Sequence, residues 1–174
     1  MRNSFYFRLA LTNIKKHARN YVPYIITCVI TIAMFYIIKS LAFNLDKNLS
    51  SISAATSMSL GSIVVAIFAI IFLFYTNSFL LKKRKKEFGL YNILGMEKKH
   101  MSALITTESL IISVISLVLG LIIGIALDKL IFMIVIKLLD GQSPLGFTII
   151  PEAILHTVVL FCIIFAAILL NSVR

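Results

Sequence analysis

Charged residues, cysteine and proline are all scarce in this sequence of 174 residues. Only 14% of the residues are charged and 60% are hydrophobic, whereas a soluble domain normally has about 45–50% apolar residues. A single soluble core is therefore the wrong description, because long apolar runs are typical of membrane proteins. The two cysteines, Cys28 and Cys162, lie inside apolar runs and form no C-x-x-C pair. We expect each to be a small buried hydrophobic residue.

The sequence also lacks the motifs that carry catalysis or cofactor binding. Gly141 and Gly146 have the spacing of a phosphate-binding loop, but the lysine that this motif requires is missing after Gly146. No H-E-x-x-H occurs, and the histidines lie far apart in the sequence. We therefore predict no catalytic residue, no metal site and no cofactor. We expect His156, early in the last apolar run, to hydrogen-bond within the helix bundle.

Four apolar runs are long enough to cross a membrane as helices. About 20 apolar residues span the roughly 30 Å of hydrocarbon, and a helix satisfies its own backbone there. We predict an all-α membrane protein with transmembrane helices at residues 21–43, 57–81, 101–127 and 151–172. A cleaved signal peptide is the alternative for the first run, but that run is longer than the ~7–15 apolar residues of a signal sequence.

Lysine and arginine are distributed unequally between the segments that flank these spans. They cluster in the tail, residues 1–20, and in the second loop, residues 82–100, whereas residues 44–56 and 128–150 hold few. Because cytoplasmic segments carry the excess of these residues, we predict that both termini and the 82–100 loop are cytoplasmic. The net charge of +10 comes largely from these blocks, and no groove-reading motif accompanies it, so nucleic-acid binding is not expected.

Two segments are predicted to lie at the membrane surface. Residues 1–20 place Phe7, Leu11 and Ile14 on one stripe beside a basic stripe, which favours an interfacial helix over a disordered basic anchor. Within the outer segment 128–150, "DKLIFMIVIKLLD" is too short to span between its charges, so an interfacial or buried outer helix is expected there. The loop "GQSPLG" follows, and Pro151 then suits the first turn of the fourth span.

Small residues line one face of the third predicted span. They recur at intervals of three or four residues, as Ser109, Ser113, Ser116, Gly120 and Gly124. Such a stripe predicts a tight contact with another helix, of this chain or of another subunit. Glu108 precedes the stripe and is a functional candidate, with pairing to a loop lysine or snorkelling as the alternative. Lys39, near the outer end of the first span, is expected to snorkel.

The loop between the second and third spans contains "KKRKKEFGLYNILGMEKK", residues 82–99. If residues 84–94 are helical, Phe88 and Tyr91 share one face, while Leu90 and Leu94 lie on the opposite face. A short helix that is apolar on two sides needs two neighbours, and its own bundle supplies only one. Gly95 fits the position that ends such a helix.

Three stretches carry a resemblance to a known family. "RKKEFGLYNILGMEKKHM" and "ESLIISVISLVLGLIIG", which includes Glu108, resemble FtsX-like permeases, the membrane subunits of the MacB-type ABC transporter superfamily. The start, "FRLALTNIKKHARNYVPYIIT", resembles more narrowly the Bce-type permeases, which detoxify antimicrobial peptides in Gram-positive bacteria. The FtsX-like unit would cover about residues 60–174. Permeases of this branch are much longer, so the resemblance implies that this chain is an N-terminal portion.

The resemblance also implies partners and a role for the cytoplasmic loop. Residues 84–95 would be the coupling helix that docks on a cytoplasmic ATP-binding subunit, through Glu87, Phe88, Gly89, Leu90, Tyr91, Leu94 and Gly95. The other expected partners are the lipid membrane, the remainder of the permease or a second copy of it, and a sensor histidine kinase. The chain itself would not be an enzyme, because ATP would be hydrolysed in the partner subunit.

The expected function is therefore that of a transmembrane unit in the bacterial plasma membrane. It would couple an ATPase to the detoxification and sensing of a peptide antibiotic such as bacitracin. One alternative is an FtsX-type regulator of cell-wall hydrolases, which would carry an outer domain between its first two spans. The other is a stand-alone four-helix transporter that uses Glu108 for proton coupling.

Overall fold

The structure, a computed structural model, describes Thr12, Lys16 and residues 18–49, 52–83, 98–138 and 150–173. These residues form four long helices: α1 (Ala18–Leu49), α2 (Ile52–Lys83), α3 (Lys98–Leu138) and α4 (Pro151–Val173). Each helix contains a segment long and apolar enough to cross a membrane, namely Tyr21–Asn44, Thr56–Lys83, Ser102–Ile131 and Pro151–Asn171. The all-α fold with four transmembrane helices is thus confirmed for the part of the chain that the structure describes.

The helices extend beyond the spans expected from hydropathy. With a rise of ~1.5 Å per residue, the 41 residues of α3 are about 60 Å long, roughly twice the thickness of the hydrocarbon core. The helix therefore continues without a break through Asp128 as far as Leu138, where the sequence suggested a separate outer segment. Pro151 begins α4, as expected, and the Ile150 carbonyl accepts a hydrogen bond from the Ala153 amide (3.1 Å).

α1 occupies the centre of the bundle. It packs against α2, α3 and α4, whereas α2 and α3 do not contact each other within the described residues. The core between the helices is built from large apolar side chains, and Phe35 of α1 meets Phe161 of α4 edge to face with ring centroids 5.9 Å apart. The first span therefore holds the bundle together.

The outward faces of the helices are strongly apolar. Phe68 and Tyr75 of α2 are 67% and 70% exposed, as expected where lipid rather than water is the solvent. Cys28 is buried in the core, as predicted, but Cys162 is exposed on α4, so the prediction of a buried residue was wrong for that cysteine. A small apolar side chain is equally stable against lipid and against protein, and hydropathy cannot distinguish the two.

Candidate functional site at the interface between α1 and α3

The stripe of small residues on α3 faces α1. Ser113, Ser116, Gly120 and Gly124 are buried, and Ser109 is half-buried. A Cβ atom added at Gly120 would lie 2.7 Å from Cβ and 2.8 Å from Cγ2 of Ile32. A Cβ atom added at Gly124 would lie 3.0 Å from Cδ1 of Tyr36. The backbone of α3 thus lies against side chains of α1, and a larger residue at Gly120 has no room.

The half of this interface near the start of α1 holds a buried hydrogen bond. The hydroxyl group of Tyr21 donates to Oε2 of Glu108 over 2.7 Å, and the two side chains are only 1% and 2% exposed. Glu108 is therefore inside the bundle, not extended towards the membrane surface. A hydrogen bond from a hydroxyl group stabilises a carboxyl group in such an environment, because water is not there to solvate it.

The other half of the interface holds a second polar cluster, which the sequence analysis did not identify as a site. The Ser40 hydroxyl group donates to Oδ2 of Asp128 over 2.6 Å, and Asn44 Nδ2 donates to the Ser40 carbonyl over 3.1 Å. Tyr36 is fully buried beside Gly124. A signal for Asp128 was present in the sequence, since it follows Gly124 by four residues and so continues the small-residue stripe.

The two hydrogen bonds show that α1 and α3 keep a constant register. Tyr21 and Glu108 are 87 residues apart in the sequence, and Ser40 and Asp128 are 88 apart. The bond nearer the start of α1 is also the bond nearer the start of α3, so the two helices run parallel. From Tyr21 to Ser40 this register holds over about 28 Å of helix, close to the full thickness of the hydrocarbon core.

The predicted ATPase-docking residues, Glu87 to Gly95, lie outside the described residues. The flanking helices are described: α2 ends at Lys83, and α3 begins at Lys98. Lys83 Nζ lies 4.6 Å from the centroid of the Phe79 ring, so the last turn of α2 places a cation over an aromatic face. In the sequence, residues 84–97 connect the end of α2 to the end of α3 that is nearer Glu108.

Nothing in the described part of the chain has the composition of a metal site. No group of three or more His, Cys, Asp or Glu residues is close enough to hold an ion there. Two pairs in the α1–α3 interface, Tyr21–Glu108 and Ser40–Asp128, instead join the two helices and hold them in register.

Comparison with known proteins identifies the family. The profile of the FtsX-like permease C-terminal family matches residues 59–174, which is most of the chain. The chain belongs to the FtsX-like permease family. The resemblance inferred from the coupling-segment and third-span motifs is thereby confirmed. The match begins within α2, so the α1–α3 interface joins a helix outside the matched region to one inside it.

Individual relatives of this FtsX-like permease are ABC transporter permeases. The chain is 33% identical over 168 residues to YvcS, an uncharacterized ABC transporter permease of Bacillus subtilis, and this covers 94% of the chain. It is 28% identical over 167 residues to the bacitracin export permease BceB of the same organism. It is 32% identical over 168 residues to BceB of Halalkalibacterium halodurans. In each case the chain spans about a quarter of the relative's length, with 26% covered.

Proposed function

We propose that this chain is the N-terminal transmembrane unit of a Bce-type ABC permease in the plasma membrane of a bacterium. In this role it couples a cytoplasmic ATPase to the detoxification and sensing of a peptide antibiotic such as bacitracin. The chain is a membrane subunit of the FtsX-like family. The peptide substrate is proposed from relatives that are named for bacitracin export.

The observation that carries the proposal is the parallel α1–α3 pair. Residues 84–95, the proposed coupling helix, immediately precede α3, so movement of a docked ATPase acts first on the Glu108 end of that helix. Because α3 is bonded to α1 at Glu108 and at Asp128, on either side of the close packing at Gly120 and Gly124, a push on α3 moves α1 with it. The pair then transmits the movement across the membrane as one body.

The proposed assembly contains partners beyond the ATP-binding subunits. The remainder of the permease, or a second copy of it, packs on faces that the four helices leave exposed. A sensor histidine kinase receives the signal that transport is under way. ATP is hydrolysed in the partner subunit, since this chain carries no phosphate-binding loop.

Both alternative functions receive less support. α1 ends at Leu49 and α2 begins at Ile52, which leaves no room for the outer domain that an FtsX-type regulator carries between its first two spans. A stand-alone proton-coupled transporter would use Glu108 to carry protons. That carboxyl group accepts a hydrogen bond from Tyr21 inside the helix pair, which favours a structural part for it.

The docking step is tested by co-purification of the ATPase with the whole permease that contains this unit. Phe88→Ala combined with Tyr91→Ala removes two aromatic anchors, which commonly dominate the energetics of an interface. The double variant should insert and fold but lose the ATPase in a pull-down, and cells that carry it should lose resistance to the peptide.

The matched control removes charge from the same loop. Replacing Lys82, Lys83 and Lys85 by Gln, with Arg84 kept, should make the orientation of the protein in the membrane less uniform. The same change should leave docking of the ATPase intact. If the double aromatic variant retains both the ATPase and normal resistance, the loop is only a charged anchor and the proposed coupling role is wrong.

A further inference from the structure

A groove lies between α1, α2 and α4. Its volume is about 390 Å³, within the roughly 300–1,000 Å³ that ligand pockets usually have. Residues from all three helices line it, including Phe35, Ser62, Ala66 and Ile163. It contains none of the residues of the α1–α3 interface.

The polarity of the groove changes along the helix axes. Lys39 and His156 line one end, and Phe35 and Ile163 lie further along α1 and α4 from that end. The seven residues from His156 to Ile163 correspond to about 10 Å along α4. The groove is therefore polar where the span begins and apolar towards the middle of the membrane.

The polar end is built from a small cluster of side chains. Lys39 Nζ lies 5.6 Å from the centroid of the Phe43 ring, and the Phe43 ring lies 5.8 Å from the His156 ring. His156 Nδ1 donates to the Glu152 carbonyl over 2.7 Å, which directs Nε2 away from the helix backbone. Lys39 is the one lysine that lines the groove, and Glu152 is not among the lining residues.

We propose that this groove binds one anionic phospholipid of the surrounding membrane. An acyl chain occupies the apolar part beside Phe35 and Ile163, and the phosphate group lies against Lys39. The site is in the outer leaflet if the chain has the orientation that its lysines and arginines predict. The proposal does not depend on an ATPase or on a peptide substrate.

The chemistry of the groove favours a lipid over a further protein helix. A protein helix that covered the groove would have to place an acidic partner for Lys39 within the membrane, which is costly. A phospholipid instead carries its phosphate group at the depth where the span begins. One lysine near a membrane surface contributes about 1 kcal/mol to the attraction of an anionic lipid, which corresponds to about a fivefold preference over a zwitterionic one.

The absence of tryptophan makes a direct test possible. Leu155 lines the groove and is 62% exposed, so Leu155→Trp introduces a single fluorophore at this site. The 174-residue chain is reconstituted into phosphatidylcholine vesicles that contain either brominated phosphatidylglycerol or brominated phosphatidylcholine. We expect the brominated phosphatidylglycerol to bind about fivefold more strongly, as measured by quenching of the tryptophan fluorescence.

Leu60→Trp is the control for lipids that merely surround the protein. Leu60 is 59% exposed on α2 and does not line the groove, although it is only two residues from Ser62, which does. Residues 52–81 of α2 carry no charge that could attract an anionic lipid. Quenching there should show no preference between the two lipids. An equal preference at both positions would overturn the proposal, because it would arise from the net charge of the protein.

Lys39 variants test the assigned contact. In the Leu155→Trp background, Lys39→Gln should reduce the preference to near unity, and Lys39→Arg should retain it. Circular dichroism and gel filtration of each variant show whether the fold is intact. The proposal is wrong if the folded Lys39→Gln variant keeps the preference, or if Leu155→Trp is not quenched because the groove is closed to lipid.

Discussion

At the scale of single residues, two carboxyl groups inside the membrane have partners on the neighbouring helix. Glu108 accepts a hydrogen bond from Tyr21, and Asp128 accepts one from Ser40. Hydrogen bonds between membrane helices contribute about 0.6 kcal/mol on average and up to about 1.7 kcal/mol. Each bond alone is therefore modest, and together they fix the register of the two helices at two points about 28 Å apart.

The Tyr21–Glu108 bond leads to a prediction about stability. Tyr21→Phe removes the donor and leaves the ring in place, so it should lower the free energy of unfolding by about 1 kcal/mol. Reversible unfolding of the purified chain in mixed micelles measures this change. Tyr75→Phe is the control, because Tyr75 is 70% exposed on α2 and should be neutral. Equal stability of both variants would mean that the buried bond contributes nothing.

The glycines of the chain give a matched pair of substitutions. Gly120→Ala would place a methyl group 2.7 Å from Ile32 Cβ, and overpacking of this kind costs about 1–3 kcal/mol. Gly61→Ala has open space around it within 4 Å and should be neutral or slightly stabilising, since alanine favours a helix over glycine. Thermal unfolding in detergent compares the two variants. If both have the same melting temperature, α3 does not pack closely on α1.

At the scale of helices, α1 and α3 are the most closely packed pair for which the structure gives contacts. Their register is constant over about 28 Å, and side chains of α1 fill the space above the glycines of α3. α2 also packs on α1 but does not contact α3 among the described residues. The proposed coupling segment connects α2 to α3. A push on this segment would therefore act on the α1–α3 pair through α3, and on α2 through the end of α2.

A cross-link between the two helices tests whether they move together. In a background with Cys28→Ala and Cys162→Ala, the pair Ser40→Cys and Asp128→Cys replaces side chains whose oxygen atoms are 2.6 Å apart. Oxidation should cross-link the whole permease within one chain, and peptide resistance should be unchanged because the two helices need not separate. The reduced form of the same variant controls for the loss of the hydrogen bond. Resistance that falls on oxidation and returns on reduction would contradict the rigid pair.

At the scale of the whole molecule, orientation in the membrane stays a prediction from charge. It rests on the lysines and arginines of the tail and of the 82–100 loop. In a cysteine-free background and in intact cells, single cysteines at Ser51 and Ser143 should react with a thiol reagent that cannot cross the membrane. A cysteine at Asn92 should react only after the membrane is permeabilised. Labelling of Asn92 from outside would reverse the orientation and would place the coupling segment on the wrong side for an ATPase.

The four spans, the family and the small-residue face of the third span could all be predicted from the sequence. Each of these features depends on residues that are near one another along the chain. About 20 consecutive apolar residues are enough to form a transmembrane helix, whatever the rest of the protein contains. Residues spaced three or four apart lie on the same face of a helix. Glu108 was recognised for the same reason, since a carboxyl group within an apolar run is visible without knowledge of its neighbour.

Only the tertiary structure decided which helix fills the space beside Gly120 and Gly124. The stripe predicts a contact, but any apolar helix satisfies it equally in lipid, where no hydrophobic force selects a partner. The structure places Ile32 and Tyr36 of α1 there, pairs Ser40 with Asp128 across 88 residues, and brings Lys39 and His156 together at one groove. These contacts depend on how distant helices approach each other, and no local pattern in the sequence records that.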